Sequence, residues 1–417
     1  MSRFTQSVSL AQRRSVAPAT VMAEKDYIRR GTPLFIRATL ALFSAGLATF
    51  ALLYCVQPIL PVLSQEFAID PATSSLSLSV ATGMLALGLL VTGPLSDAIG
   101  RKPVMVAGLL LASCCTLASA TMNSWHGILL TRALTGLSLS GMAAVGMSWL
   151  SEEVHPGVVA FSMGLYISGN SIGGMSGRLL SGVVTDFSSW RLAVAVIGCF
   201  ALASAVMFWK ILPPSRHFRA ASLKPRSLMV NFRLHWRDPG LPLLFAEGFL
   251  LMGAFVTLFN YIGYRLLATP FSLSQATVGV LSLVYLTGSW SSPKAGALTA
   301  KHGRAVVLLF STSMMLAGVL ITLSASLWLI FAGMMLFSAG FFAAHAVASG
   351  WIGHRARRAR GQASSLYLFS YYLGSSLAGT AGGIFWHQFG WQGITAFITL
   401  LLLTALLVAV QLRKRQL

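Results

Sequence analysis

From about residue 38 onward the chain is a succession of long apolar runs, each closed off by a short polar or glycine-rich turn. A membrane-crossing helix needs about 20 mostly apolar residues. The runs divide into twelve such segments, at 38–62, 75–96, 103–122, 126–150, 158–184, 192–212, 241–266, 274–298, 305–325, 327–351, 362–386 and 391–412. This pattern predicts an all-α integral membrane protein with twelve transmembrane helices in two six-helix bundles. The polar stretch 213–240 divides six spans from six. The expected organisation is a disordered cytoplasmic tail over 1–36, a first bundle over 37–212, a cytoplasmic linker over 213–240, a second bundle over 241–412 and a short tail over 413–417.

The two halves echo each other in sequence. Gly93-Pro94-Leu95-Ser96-Asp97-Ala98-Ile99-Gly100-Arg101-Lys102 returns, worn, as Gly296-Ala297-Leu298-Thr299-Ala300-Lys301-His302-Gly303-Arg304, 203 residues later. The segments beginning at Ala160 and Ala363 repeat with the same offset. Both copies of the first motif are short, basic and turn-prone, and they predict tight loops on one face of the membrane.

Composition supports lipid over water, with 55% hydrophobic and 10% charged residues in 417. A net charge of +20 raises the question of nucleic acid. Placement answers it: 26 of the 30 Lys and Arg fall in tails or in loops on one side of the predicted spans. By the positive-inside rule that side, with both termini, is cytoplasmic. Cys55, Cys114, Cys115 and Cys199 all lie within spans and behave as small apolar residues.

Two parallel six-helix halves are one architecture of secondary transporters, whose sites lie near the midplane between repeats. Particular motifs extend this reading. The 93–102 segment resembles the signature of the major facilitator superfamily between spans two and three, and Arg132-Ala133-Leu134-Thr135-Gly136 resembles its fourth-span Arg-x-x-x-Gly motif. Gly169 to Gly174 is similar to the fifth-span antiporter motif, with Asn170 in place of its usual proline. Gln57-Pro58-Ile59-Leu60-Pro61 resembles the Pro-x-x-Pro of drug and sugar efflux members, the proton-antiporter branch of bacterial inner-membrane permeases. The resemblance implies alternating access in the inner membrane. It also implies a cytoplasmic latch built on Gly93, Asp97, Gly100, Arg101 and Lys102 that breaks when the transporter turns inward.

Of ten carboxylates, only Glu247 falls well inside a span, about 9 Å deep by helical rise. An intramembrane acid is costly and by default functional, so Glu247 is the candidate proton carrier, with Arg132 of the fourth span tuning it. Arg178, nearer a span end, reads more simply as a side chain extending to the interface. Tyr54, Gln57, Asn170, Leu258, Tyr261, His345 and Tyr371 are the candidate cavity lining, an apolar pocket with a few polar anchors. Small residues every fourth position at Gly169, Gly173 and Gly177, and again from Gly374 to Gly383, predict helix seams, sliding or static. Trp125, Trp190, Trp328 and Trp391 fall at outer span ends, the usual place of an interfacial belt.

No phosphate-cradling loop or zinc cluster is present in the sequence, so neither enzyme chemistry nor a cofactor is expected, only protons as coupling ion. The function expected is proton-coupled efflux of a small organic molecule by one chain acting as a monomer in lipid. Uptake symport of a sugar or carboxylate is the alternative within transport, and a non-transporting sensor on the same fold the alternative outside it.

Overall fold

The computed structural model describes residues 27–415 apart from 219, 221–224 and 357. Among them the molecule is all helix, with one isolated bridge between Ile28 and Val154. The helices are α1 (Pro33–Tyr54), α2 (Leu60–Glu66), α3 (Pro71–Ile99), α4 (Arg101–Thr121), α5 (Trp125–Glu153), α6 (Pro156–Phe187) and α7 (Trp190–Ile211). They continue with α8 (Pro225–Arg237), α9 (Leu241–Leu267), α10 (Gln275–Val280), α11 (Leu286–His302), α12 (Arg304–Ile321), α13 (Leu327–Arg355) and α14 (Arg360–Lys414). Nine of the described helices are long and apolar enough to cross a membrane.

Local chemistry sets the boundaries. Several helices open on a capping side chain followed by proline, whose fixed φ suits the first turn. Thr32 Oγ1 accepts from Phe35 N at 3.2 Å ahead of Pro33, and Asp70 Oδ1 accepts from Thr73 N at 2.9 Å ahead of Pro71. Pro58 cannot continue α1, so the first span breaks after Tyr54 and resumes at Leu60. The eighth span is likewise in pieces, with a 3₁₀ turn at Leu281–Tyr285 between α10 and α11.

As one rod, α14 would run about 80 Å, far more than a bilayer holds. It is two spans folded back at Gly390, whose φ of +55° only glycine adopts easily. The fold-back brings the Phe385 and Phe397 rings to 4.5 Å between centroids, although they are twelve residues apart in sequence.

The repeated motif differs from the loop expected. Helix α3 runs through Pro94 and Asp97 to Ile99, and α11 likewise runs to His302. The turn in each copy is one glycine, Gly100 (φ +109°) and Gly303 (φ +81°), 203 residues apart. Across that one-residue turn Arg101, the first residue of α4, pairs with Asp97 in the last turn of α3.

Two boundaries also shift. Residues 1–26 of the expected tail lie outside the described residues, but 27–36 do not form a free tail. Ile28 N donates to Glu153 O at 2.9 Å, His155 N donates to Ile28 O at 3.0 Å, and α1 begins at Pro33. The linker contains α8, and its end is tied down where Asp238 accepts from Arg355 Nε at 2.6 Å and from Gly240 N and Leu241 N at 2.8 Å each. Burial raises the Asp238 pKa, and these donors outweigh it, leaving the carboxyl below the usual range. Nor do the four tryptophans form one exposed belt: Trp190 and Trp391 are buried, with Trp391 Nε1 donating to Thr322 Oγ1 at 3.2 Å, whereas Trp328 is exposed.

Glycine stripes let backbones touch, and the structure separates two uses. Gly169, Gly173 and Gly177 of α6 lie against Phe43, Leu47 and Ala51 of α1, within one half. Gly374 and Gly382 face α9 within the other half, whereas Gly383 meets Ala72 and Gly182 meets Gly279 across the halves. The motif glycine Gly136 sits on α3, where an added Cβ would lie 1.8 Å from Ala81 O. Gly136→Ala should therefore cost about 1–3 kcal/mol and lower the thermal midpoint of the purified protein. Gly164→Ala, facing open space, should not, and equal midpoints for the two variants would contradict this packing.

Candidate functional site

Four hydrogen bonds joining the halves sit at mid-span or toward the face away from the termini. Gln57 Nε2 donates to Asn260 Oδ1 at 2.7 Å, and the two residues are 203 apart, the period of the sequence repeat. Beyond them Ser64 Oγ and Tyr264 Oη are 2.6 Å apart, Ser282 Oγ donates to Met175 O at 3.1 Å, and Gln275 N donates to Asp186 Oδ1 at 3.2 Å. At the termini face the motif glycines Gly93 and Gly296 have nothing within 4 Å of an added Cβ. The halves are clasped at the far side.

Behind this clasp lies Arg178, only 4% exposed. Its Nε donates to Gln57 Oε1 and its Nη1 to Gly174 O, both at 2.6 Å. The guanidinium lies over the Tyr54 ring at 4.2 Å and the Tyr285 ring at 4.6 Å, so aromatic faces from both halves sandwich it. On the second half's side follow Phe255, Phe259 and Phe341, with Phe255 stacked on Phe341 at 3.8 Å. Tyr371 lies 4.7 Å from His345 and 5.1 Å from Tyr372.

Arg132 occupies a different place. Its Nε donates to Ser77 O at 3.0 Å, Nη1 to Leu52 O at 2.8 Å and Nη2 to Leu53 O at 2.6 Å. The proline break in the first span leaves carbonyls without helical partners, and Arg132 satisfies two of them while tying α1 to α3. Each of its three nitrogens bonds a backbone carbonyl, which braces α1 against α3 at a position where the sequence suggested tuning of a proton.

Glu247 has no exposed surface, and neither carboxyl oxygen has a hydrogen-bond partner. Its neighbour Gly248 packs on Tyr367, where an added Cβ would be 2.7 Å from Cε2. Tyr367 Oη in turn is 2.9 Å from His345 Nδ1, and His345 is half-buried. Tyr367 and His345 are thus hydrogen-bonded to each other, and Glu247 lies within electrostatic reach of Tyr367 without bonding to it.

The remaining expected residues scatter. Leu258 and Tyr261 are fully buried on α9, and Tyr261 Oη donates to Gly379 O at 2.9 Å, which places both in packing at the clasped side. Asn170 is half-buried beside Gly46 and Tyr166, its Oδ1 unpartnered. In the motif, Arg101 Nη2 donates to Glu152 Oε1 at 2.7 Å and Nη1 to Ser96 Oγ at 2.7 Å, while Lys102 Nζ reaches Leu212 O at 2.5 Å. All these partners are in the first half.

Sequence reasoning missed Tyr285, Tyr367 and Glu152, counted Asn260 as one scattered polar group without pairing it to Gln57, and underrated Arg178. For Asn260 a signal existed: it stands one repeat period from Gln57. Glu152, which reads as a loop acid, is in the last turn of α5 and completes the Asp97–Arg101 cluster.

Comparison with known proteins agrees with this geometry. The sequence model of the Major Facilitator Superfamily matches residues 40–270 and again 248–416. "Inner membrane transport protein YnfM" of Escherichia coli (strain K12) is 72% identical over 415 residues, covering 100% of this chain and 99% of that protein. "Uncharacterized MFS-type transporter YybF" of Bacillus subtilis (strain 168) is 45% identical, covering 91% and 94%. A bacterial homolog of the human lysosomal transporter Spinster, in an inward-facing and occupied conformation, superposes with a TM-score of 0.74 at 13% identity. It covers 92% of this chain and 98% of that structure, a likeness of fold.

Arg132→Lys tests the assignment of that residue. One ammonium cannot serve three carbonyls spread over two helices, and each buried acceptor left unpaired costs about 1–3 kcal/mol. The variant should show a lower thermal midpoint and folded yield than the wild type, and an unchanged midpoint would contradict the structural role.

Proposed function

The chain belongs to the Major Facilitator Superfamily and is a multi-pass membrane transporter, and on that premise we propose that it exports a small organic molecule across the inner membrane in exchange for protons. Glu247 is the observation that carries the reading. An ionised carboxylate with no donor in a membrane span is strongly disfavoured, so its charge must be created and removed as its surroundings change.

Tyr367, within electrostatic reach of Glu247, and His345, bonded to Tyr367, are the groups by which a proton would reach and leave the buried acid. With the termini in the cytoplasm, as the distribution of Lys and Arg indicates, the clasp at Gln57–Asn260 and Ser64–Tyr264 closes the outer side. The Asp97–Arg101–Glu152 cluster, held within the first half, then corresponds to a released latch. Opening outward requires the clasp to part and Asp97 to find partners across the halves. Glu247 would take its proton in the outward state and release it inward, its different surroundings in the two states providing the differential affinity that any such cycle needs and the gradient providing the drive. The efflux direction is supported by the resemblance of the first-span and fifth-span motifs.

Cells with and without the protein are first compared for compounds they retain, and a compound so found is then followed in proteoliposomes with an imposed pH gradient. Outward movement coupled to inward protons is expected, together with loss of pH dependence in Glu247→Gln. Substrate and protons moving inward together would refute export. In the same assay Asp97→Asn should reduce transport at least tenfold while Ala300→Asn, at the repeat-equivalent position, changes it less than twofold. Equal effects would remove the latch from the mechanism.

A further inference from the structure

Glu247 accounts for a proton, but the largest unexplained charge in the membrane region is Arg178. Removing a guanidinium from water is expensive unless it is paired, and none of the described salt bridges involves it. Glu247 is not its partner. Phe259, whose ring lies 6.0 Å from the Arg178 guanidinium, is twelve residues from Glu247 on α9, a separation of about 18 Å along the helix.

What surrounds Arg178 is a partly filled donor set. Two of its nitrogens are taken by Gln57 Oε1 and Gly174 O, while Nη2 has no hydrogen-bond partner among the described residues. Tyr285 Oη, from the other half, is buried and has none either. Tyr54 and Tyr285 lie against the cation, and Tyr371 is within electrostatic reach of both. Rings of Tyr54, Phe259 and Tyr285 form the walls.

We infer that Arg178 anchors the transported molecule, and that this molecule is an aromatic carboxylate. One free guanidinium nitrogen, with the unpartnered hydroxyl of Tyr285 on a ring that lies against the same guanidinium, matches a single carboxylate, which accepts from both. A dianion would be left with a charge unpaired, and a cation would meet one of like sign. The walls favour a flat ring over an aliphatic chain, since ring faces stack on one another and on the guanidinium.

The same residue explains how an occupied site could affect the clasp. Arg178 shares Gln57 with Asn260, so Gln57 joins the cation to the opposite half through its two amide atoms. A carboxylate drawn to Nη2 and Nε competes with Gln57 Oε1 and frees that amide to turn. Ligand and clasp are then linked through one side chain.

This inference rests on the transport reading for its ligand, but it is tested by binding alone, with no gradient. Protein in nanodiscs is titrated calorimetrically with benzoate, phenylacetate and indole-3-acetate, and with the neutral amide of each. At least one carboxylate should bind the wild type at least tenfold more tightly than its amide. Arg178→Gln should abolish that preference, and Arg178→Lys, which keeps the charge but not the fork, should retain part of it. A wild type that binds none of the acids, or binds acid and amide equally, overturns the proposal whether or not the variants fold. A folded Arg178→Gln that keeps the preference overturns it as well. Carboxylate binding without any transport would sink the export reading and leave this one standing, and export of an uncharged compound without carboxylate binding would do the reverse.

Discussion

The molecule depends on a seam that no covalent bond holds and that must both close and part. Each half builds its interior from glycine-mediated contacts such as α6 on α1, where backbone approaches backbone. The seam has close glycine contacts of its own, Gly383 on Ala72 and Gly182 on Gly279, and adds to them hydrogen bonds from single neutral side chains. Hydrogen bonds between neutral side chains are individually modest, so a clasp made of them holds a state without committing the molecule to it. That Gln57 and Asn260 are repeat equivalents means that duplication itself placed an amide on each side of the axis.

Three charged residues face the same cost in the membrane region and meet it in three ways. Arg132 bonds backbone through each of its three nitrogens and so serves as a brace for a span that proline has broken. Arg178 gives two nitrogens, keeps one, and sandwiches its plane between tyrosines of opposite halves. Glu247 has no bond at all. The progression from satisfied to half-satisfied to unsatisfied separates a structural charge from charges available for exchange with ligand and proton.

The termini face has its own economy of charge. Arg101 gathers Asp97 and Glu152 at a point where a single left-handed glycine joins α3 to α4. A loop of several residues would leave these groups independent, whereas the one-residue turn at Gly100 keeps the end of α3, with Asp97, against the start of α4, with Arg101. The second copy has the same glycine at Gly303 but Ala300 where the acid would be, so the two faces of the pseudo-symmetric pair share geometry and differ in chemistry.

Hydropathy and charge placement alone left the burial of Glu153 at the end of α5 illegible, but they determined that the chain crosses a membrane repeatedly, that it is two copies of one six-helix plan, and that Glu247 is an acid inside a span. These follow from composition along a line: apolar length sets a span, and a repeat period survives drift. Tertiary structure decided what the buried charges do. Arg132 and Arg178 look alike in sequence, each an arginine within an apolar run, but one faces orphan carbonyls left by Pro58 and the other faces aromatic rings from the opposite half. A side chain's role in lipid is set by what the neighbouring helices present to it, and helix neighbours are chosen by packing between segments far apart in sequence. The repeat interval predicts that Gln57 and Asn260 correspond, but only the folded molecule shows that they touch.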